Sequence, residues 1–303
     1  MPLSSLVLYR KVWWILGRSS KAKELDPWGE WLVRGRFSGA STQRRQRTSK
    51  SLATARDEVL RNAALVPGQS VLDLGAGTGL LALASRSRVT STGRVIAVDI
   101  STDALRECVK QARRARKPTA ALTPVAGDAL RLPFASESFD AVLTRSVLMH
   151  INDKPTAVRE MFRVLKTGGT ASTFEAITDI SARANDLAEQ EIALSIPDYP
   201  RVRAHARGHD NAQLGFNERD LVQWFRDAGF RQVKLFYRES HSEGLRETDR
   251  EGILRILRMK PHPSMLPHEE AAQQVLGDEA TTYMEALVAW HLARGLRSHT
   301  GLA

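Results

Sequence analysis

A chain of 303 residues with 42% hydrophobic and 26% charged residues, 20 Gly and 12 Pro has the composition of a soluble globular protein, which excludes collagen-like, low-complexity and wholly disordered architectures. Its single cysteine, Cys108, excludes an intrachain disulfide and a cysteine-based zinc site within one chain. The net charge of +10 is concentrated in an arm: residues 1–56 hold 12 Lys and Arg against 3 acids, while the other 247 carry 32 positive and 31 negative charges. A nucleic-acid-binding surface spread over the main body is therefore not expected, and the arm is the one electrostatic candidate. No stretch approaches the roughly 20 apolar residues of a membrane span, and the first 17 residues lack the cleavage site of a secretory signal. The expected location is the cytoplasm, with a mitochondrial presequence as the minority alternative.

The arm, residues 1–50, places Leu6, Tyr9, Trp13 and Leu16 at helical spacing, with Trp14, Trp28 and Trp31 nearby. Such a stripe predicts packing, on the body or on a neighbouring subunit, and so a homo-oligomer joined through the arm. An aromatic lid over the substrate pocket is the alternative. From residue 51, apolar runs alternate with helical patterns, the signature of a parallel sheet with crossover helices. Helices are expected at Ser51–Leu65, Gly79–Ser85, Thr102–Arg116 and Pro155–Leu165, and strands at Ser70–Leu74, Arg94–Asp99, Ala121–Ala126, Phe139–Thr144 and Thr170–Glu175. The rhythm breaks at residues 178–216, read as an inserted cap with a short helix at Ala182–Leu194 and a basic loop from Tyr199 to His209. Residues 217–240 return to the core, with Asn217 capping a helix to Ala228, Gly229 stopping it and a sixth strand at Gln232–Tyr237. Residues 241–303 read as helices at Arg246–Met259 and Glu269–Leu296, divided by Pro261-His262-Pro263.

The most informative stretch is Val71-Leu72-Asp73-Leu74-Gly75-Ala76-Gly77-Thr78-Gly79-Leu80, an apolar strand running through a glycine-rich turn into a helix. Alternate glycines let the backbone turn sharply and approach a ligand, and the helix start behind them offers free N–H groups. Leu80 stands where a dinucleotide fingerprint needs glycine, which weakens a nicotinamide reading. Asp99, 26 residues after Asp73, closes the second strand, where a carboxylate can take both hydroxyls of a ribose. Asp128 closes the third strand in the same manner, and Arg145 and Ser146 follow the fourth.

In order, VLDLGAGTG, VIAVD, GDALRLPFASESFDAV, REMFRVLKTGGT with Glu175, and FNERDLVQWFRDAGF resemble the class I S-adenosylmethionine-dependent methyltransferases, in the branch of ubiquinone and menaquinone biosynthesis enzymes and natural-product tailoring enzymes. The likeness spans about residues 51–240. It implies a doubly wound, mostly parallel α/β sheet, Rossmann-like, with an N-terminal helical arm, an inserted cap and C-terminal helices. The family's seventh, antiparallel strand is missing or stunted here, with 298–303 as the remaining candidate. The resemblance further implies that Gly75, Ala76, Gly77 and Gly79 shape the pocket for the methionine part of S-adenosylmethionine, with Asp73 near its amino group. Asp99, beside Ile100, would bind the ribose hydroxyls, Asp128 and Ala129 the adenine, and Arg145 and Ser146 would line the pocket. His150, after the fourth strand, is expected as proton acceptor or substrate positioner, with Glu175 orienting it or serving as a second base. No metal is expected.

The expected function is methyl transfer to a small molecule of natural-product or secondary-metabolite type, aromatic or apolar, with oxygen, nitrogen and carbon nucleophiles all open. The rivals are an RNA or protein methyltransferase that uses the basic arm, and a cofactor-binding protein that transfers nothing.

Overall fold

The computed structural model describes residues 24–35, 42–114, 119–177, 189–208, 216–236, 246–247, 249–294 and 296–297. Helix α1 (Thr42–Ala63) precedes strand β1 (Ser70–Leu74), followed by α2 (Leu80–Val89), β2 (Arg94–Asp99), α3 (Thr102–Ala112), β3 (Ala121–Ala126), β4 (Phe139–Arg145), α4 (Lys154–Val164) and β5 (Leu165–Phe174). The five strands are all parallel in the order β3-β2-β1-β4-β5. The chain thus winds outward from β1 in one direction and then restarts beside it with β4. That reversal opens a crevice at the carboxyl ends of β1 and β4, where doubly wound folds bind ligands.

The expected positions of β1, β2 and β3 hold residue for residue: β1 and β2 are buried on both faces and read as continuous apolar runs, while β3, at the sheet edge, buries only Pro124 and Val125. Side-chain alternation along them feeds two cores. Leu72, Leu74, Ile96, Val98 and Val142 pack with Met161 of α4, while Val71, Val95, Ala97 and Leu143 pack with Val59 of α1 and Leu105 of α3. Ser101 caps α3 as expected, its hydroxyl accepting from the Ala104 N–H at 3.0 Å. Helix α6 (Glu218–Ala228) opens on a capping box between Asn217 and Asp220 and closes at Gly229, whose φ of 111° suits only glycine comfortably.

Several expectations fail. Helix α1 begins at Thr42, inside the stretch read as the arm, because polar helix formers carry it across residue 50. The sixth strand at Gln232–Tyr237 is not formed over 232–236: those residues pair with no strand among the described residues, and Leu235 and Phe236 are 50% and 71% exposed. Among the described residues no further strand joins the five-stranded sheet outside β5, and alternation alone does not supply a ladder for this segment. The 298–303 candidate lies outside the described residues, but Leu296–Arg297 pairs antiparallel with Arg246–Glu247. The basic loop is instead helix α5 (Tyr199–Arg207), and the long C-terminal helix is broken into α8 (His268–Leu276) and α9 (Ala280–Arg294) at Gly277, where φ is 56°.

With α7 (Arg250–Arg258), these helices form a third core. Ile192, Tyr199, Val202 and Ala206 from the cap stretch bury against Ile253, Leu257, Ala271, Tyr283 and Leu287 from the C-terminal one. Cap and tail therefore make one helical lobe. The part of the short cap helix that falls on 182–188, and the arm stripe from Leu6 to Leu16, lie outside the described residues.

Candidate cofactor and acceptor site

The turn after β1 takes the left-handed backbone at Gly75, Gly77 and Gly79, with φ of 67°, 52° and 97°. Two of these positions also lack room for a side chain. A Cβ on Gly75 would sit 2.3 Å from Cγ2 of Val147, and one on Gly79 would sit 2.5 Å from Sγ of Cys108. Gly79→Ala is expected to destabilise the fold by about 3 kcal/mol through overpacking and left-handed strain together. Adding Cys108→Ala should recover about half of that loss, since it removes the clash and leaves the strain. Urea unfolding of the single and double variants reads both terms, and strict additivity would show that the two side chains do not compete for space.

The glycine turn is tied to two buried carboxylates. Asp73 accepts from the Ala82 N–H at 2.7 Å, and Asp99 accepts from the Gly77 N–H at 2.7 Å and the Ser101 N–H at 2.8 Å. Each Asp99 oxygen is thereby fixed by one backbone donor and keeps a lone pair for a ligand. Burial pushes the Asp73 carboxyl up to about 8, with the negative charge of Asp99 adding to the shift. Burial also raises Asp99, with Asp26 contributing and the Ser101, Gly77 and Ile100 N–H groups working against it. Asp128 is exposed and its carboxylate accepts from the Leu130 N–H at 2.9 Å; Ala129 is partly buried, and Ile100 is exposed on the rim. Ser146 has a left-handed φ of 51°, and its buried hydroxyl meets no partner among the described residues. Arg145, which precedes it, ends β4.

The loop after β4 carries a short 3-10 turn, Leu148–His150, which Glu175 holds from behind. One Glu175 oxygen accepts from the Val147 and Leu148 N–H groups at 3.0 and 3.1 Å, and the other from the Met149 N–H at 3.2 Å. Burial raises its carboxyl, and these three donors oppose the shift. Both oxygens thus grip backbone. Lys154, buried at the start of α4, donates to the Ile151 carbonyl at 2.9 Å and lies over the Phe216 ring at 5.0 Å. Burial lowers its ammonium, and Glu175 pulls the other way.

Two parts of the chain distant in sequence close over this loop. Residues 24–35 form a helical turn, Pro27–Gly29, that runs on as a π-helical turn, Glu30–Gly35. Asp26 latches it to the start of α3: its carboxylate accepts from the Gly29 N–H at 2.7 Å, the Ser101 hydroxyl at 3.0 Å and the Asp103 N–H at 3.3 Å, while its own N–H donates to Asp103 at 2.8 Å. The Trp28 ring so placed lies 5.0 Å from both His150 and His262, edge to face, and Trp31 lies 6.0 Å from His262. His262, on the connector between α7 and α8, puts Nε2 3.0 Å from Nδ1 of His150. Burial pushes His150 down to about 3, with His262, Arg145 and Lys154 adding to it, and His262 down to about 4.

The expected cluster is therefore assembled in part around one crevice: the glycine turn, Asp73, Asp99, Ser146, His150 and Glu175. Asp26, Lys154 and His262 escaped the sequence reading. Asp26 precedes Pro27 in an N-cap pattern that could have been seen, whereas nothing in the spacing joins His262 to a histidine 112 residues away. The basic residues of the cap are engaged within the lobe. Arg203 and Arg207 both pair with Glu189, at 3.3 and 2.6 Å, Arg201 pairs with Asp198 at 2.8 Å, and His205 bonds Gln274 at 2.8 Å.

Residues 72–173, from β1 to the end of β5, match a family described as methyltransferase domain. That stretch is similar to the class I S-adenosylmethionine-dependent methyltransferases. Over 102 residues the chain is 45% identical to demethylmenaquinone methyltransferase of Thermobifida fusca, covering 34% of this chain and 41% of that one. Over 113 residues it is 39% identical to a ubiquinone/menaquinone biosynthesis C-methyltransferase of Xanthomonas campestris, covering 37% and 44%. The methyltransferase match thus spans less than half the length of these curated relatives. A solved S-adenosylmethionine-dependent methyltransferase from Aquifex aeolicus is 15% identical over 70% of this chain and 92% of its own, with a TM-score of 0.47. The matched stretch ends before both the lobe and His262. No described helix is long and apolar enough to cross a membrane.

Proposed function

We propose that this chain transfers the methyl group of S-adenosylmethionine to an aromatic small molecule held between the strand ends, the loop after β4 and the helical lobe. The observation that carries the reading is the glycine turn clasped to Asp99. The carboxylate is immobilised by two backbone donors at the end of β2 and still has acceptor capacity for a vicinal diol. The buried, unpartnered Ser146 hydroxyl on the opposite side of the crevice suits a ligand with polar ends. S-adenosylmethionine, when bound, supplies a methyl group activated by its sulfonium charge. Asp73 would face its amino group, with Gly75, Ala76, Gly77 and Gly79 along its methionine part. Asp99 and Ile100 would flank the ribose, Asp128 and Ala129 the adenine, and Arg145 and Ser146 the remaining wall.

The acceptor side is ringed by Trp28, Trp31, His150 and His262, whose faces and edges suit a flat aromatic ring. Relatives named for menaquinone and ubiquinone biosynthesis support an acceptor of quinone type. His150 would touch the acceptor, and Glu175 would position it by holding the loop. Residues 51–177 and 217–240 would form the catalytic core, with 178–216 and 241–303 selecting the acceptor and the arm of residues 1–50 serving as roof.

The purified protein, incubated with methyl-labelled S-adenosylmethionine and an extract of its source cells, is expected to label the low-molecular-weight organic fraction. Label confined to RNA or protein would overturn the small-molecule reading and assign the basic arm to a polyanion.

A further inference from the structure

The hydrogen bonds around His262 fix more than a contact. The Ser264 backbone N–H, which can only donate, points at Nδ1 of His262 from 3.2 Å, and the Ser264 hydroxyl lies 2.6 Å from the same atom. Nδ1 is therefore the acceptor, and a neutral His262 carries its proton on Nε2. That proton faces Nδ1 of His150 at 3.0 Å, across rings inclined by only 17°. Nδ1 of His150 must then accept, which leaves the single proton of a neutral His150 on Nε2. The sequence Ser264 N–H, His262, His150 is a one-way chain of donors.

We infer that His262 is a positioning residue that locks His150 in its Nε2–H form, so that His150 acts as a hydrogen-bond donor to an oxygen of the methyl acceptor and not as its base. The inference rests on the proposed methyl transfer for its second half only. The ring nitrogen with a lone pair is occupied by His262, and the other nitrogen already bears a proton, so neither can take one from an acceptor. The burial of both rings, which keeps them neutral near pH 7, agrees with this assignment. An acceptor suited to such a donor has a carbonyl or anionic oxygen near the atom to be methylated, and it arrives ionised or loses its proton to water. The arrangement also couples the parts of the chain. His262 hangs from a connector that is pinned to the lobe by the Leu266 N–H on the Ala206 carbonyl at 3.0 Å, and Trp28 packs against both rings.

The test is nitrogen NMR of histidine-labelled full-length protein, with steady-state kinetics on the variants His262→Gln and His262→Leu. Wild-type His150 should show the Nε2–H tautomer at neutral pH, with or without S-adenosylmethionine. Glutamine can accept from Ser264 and donate to His150, so His262→Gln should keep that tautomer and lose clearly less kcat than His262→Leu. His262→Leu should give a mixture of tautomers and a kcat lower by about tenfold or more, with the KM for S-adenosylmethionine unchanged. An Nδ1–H or doubly protonated His150 in the wild type, or equal behaviour of the two variants, would overturn the assignment. A protein with the expected tautomer that binds no S-adenosylmethionine would instead sink the proposed function and leave the histidine chain standing.

Discussion

Asp73→Asn is expected to stabilise the cofactor-free protein by a few kcal/mol at pH 9 relative to pH 5, while weakening S-adenosylmethionine binding about ten- to a hundredfold. The carboxyl is fully enclosed at the end of β1, and burial raises it from its ordinary value of 3.8 to about 8. Between those two values the folded chain holds a proton that the unfolded chain has released. Stability from this group is therefore intact below about pH 4, falls as pH rises, and is fully lost above about pH 8. At about 1.4 kcal/mol for each pH unit between these values the ideal loss is about 6 kcal/mol, an upper bound because a relaxed or hydrated interior lowers it. Asparagine still accepts from Ala82 and does not ionise, so its advantage should open above pH 4 and level off past pH 8. Urea unfolding at pH 5, 7 and 9 measures this, and a pH-independent difference would show that Asp73 is not the group held protonated. The loss of affinity follows from the proposed contact with a cationic amino group, since hydrogen bonds to charged groups contribute about 1.5–3 kcal/mol.

Glu175→Gln is expected to lower kcat about a hundredfold with little change in the affinity for S-adenosylmethionine. The carboxylate receives three successive backbone N–H groups and the Thr144 hydroxyl at 3.3 Å, all of them donors. Glutamine offers one acceptor oxygen and turns an NH2 toward the remaining donors, so the loop must shift or leave donors unmet. His150 rides on that loop, and a displacement of about 1 Å at a positioned group can cost about a hundredfold in rate. Circular dichroism and calorimetric titration of the cofactor separate this from loss of the fold. A glutamine variant with kcat within threefold of wild type would show that the carboxylate does not set the loop.

The core was legible because the parallel strands are apolar on both faces, so Val71–Leu74, Val95–Val98 and Ala141–Leu143 stand out as runs whatever their partners are. Caps were legible for the same local reason: Ser101 and Asn217 act within three residues of themselves. Gln232–Phe236 misled because its alternation is that of a strand, while pairing depends on a neighbour that its own residues do not encode. The lobe was missed for a similar cause. Tyr199, Val202 and Ala206 recur at helical spacing and could have announced α5, yet the arginines between them dominated the pattern. Their burial depends on Ile253 and Leu287, tens of residues further on. In the site, motif residues around Asp73 and Asp99 were visible as strand ends, and the role of Glu175 became clear only when its three donors were seen to be backbone.

The shared core of the helical lobe has a consequence for how such a protein can be altered or recombined. The stretch between β5 and α6 resembles an exchangeable insertion, but its apolar face is completed by α7, α8 and α9, and the connector bearing His262 hangs from the end of α5. Grafting that stretch alone from a relative would expose Ile253 and Leu287 and unseat His262 in one step. The lobe's core and the seat of His262 are therefore inherited together, and a working chimera has to carry both segments, 178–216 and 241–303, from the same parent.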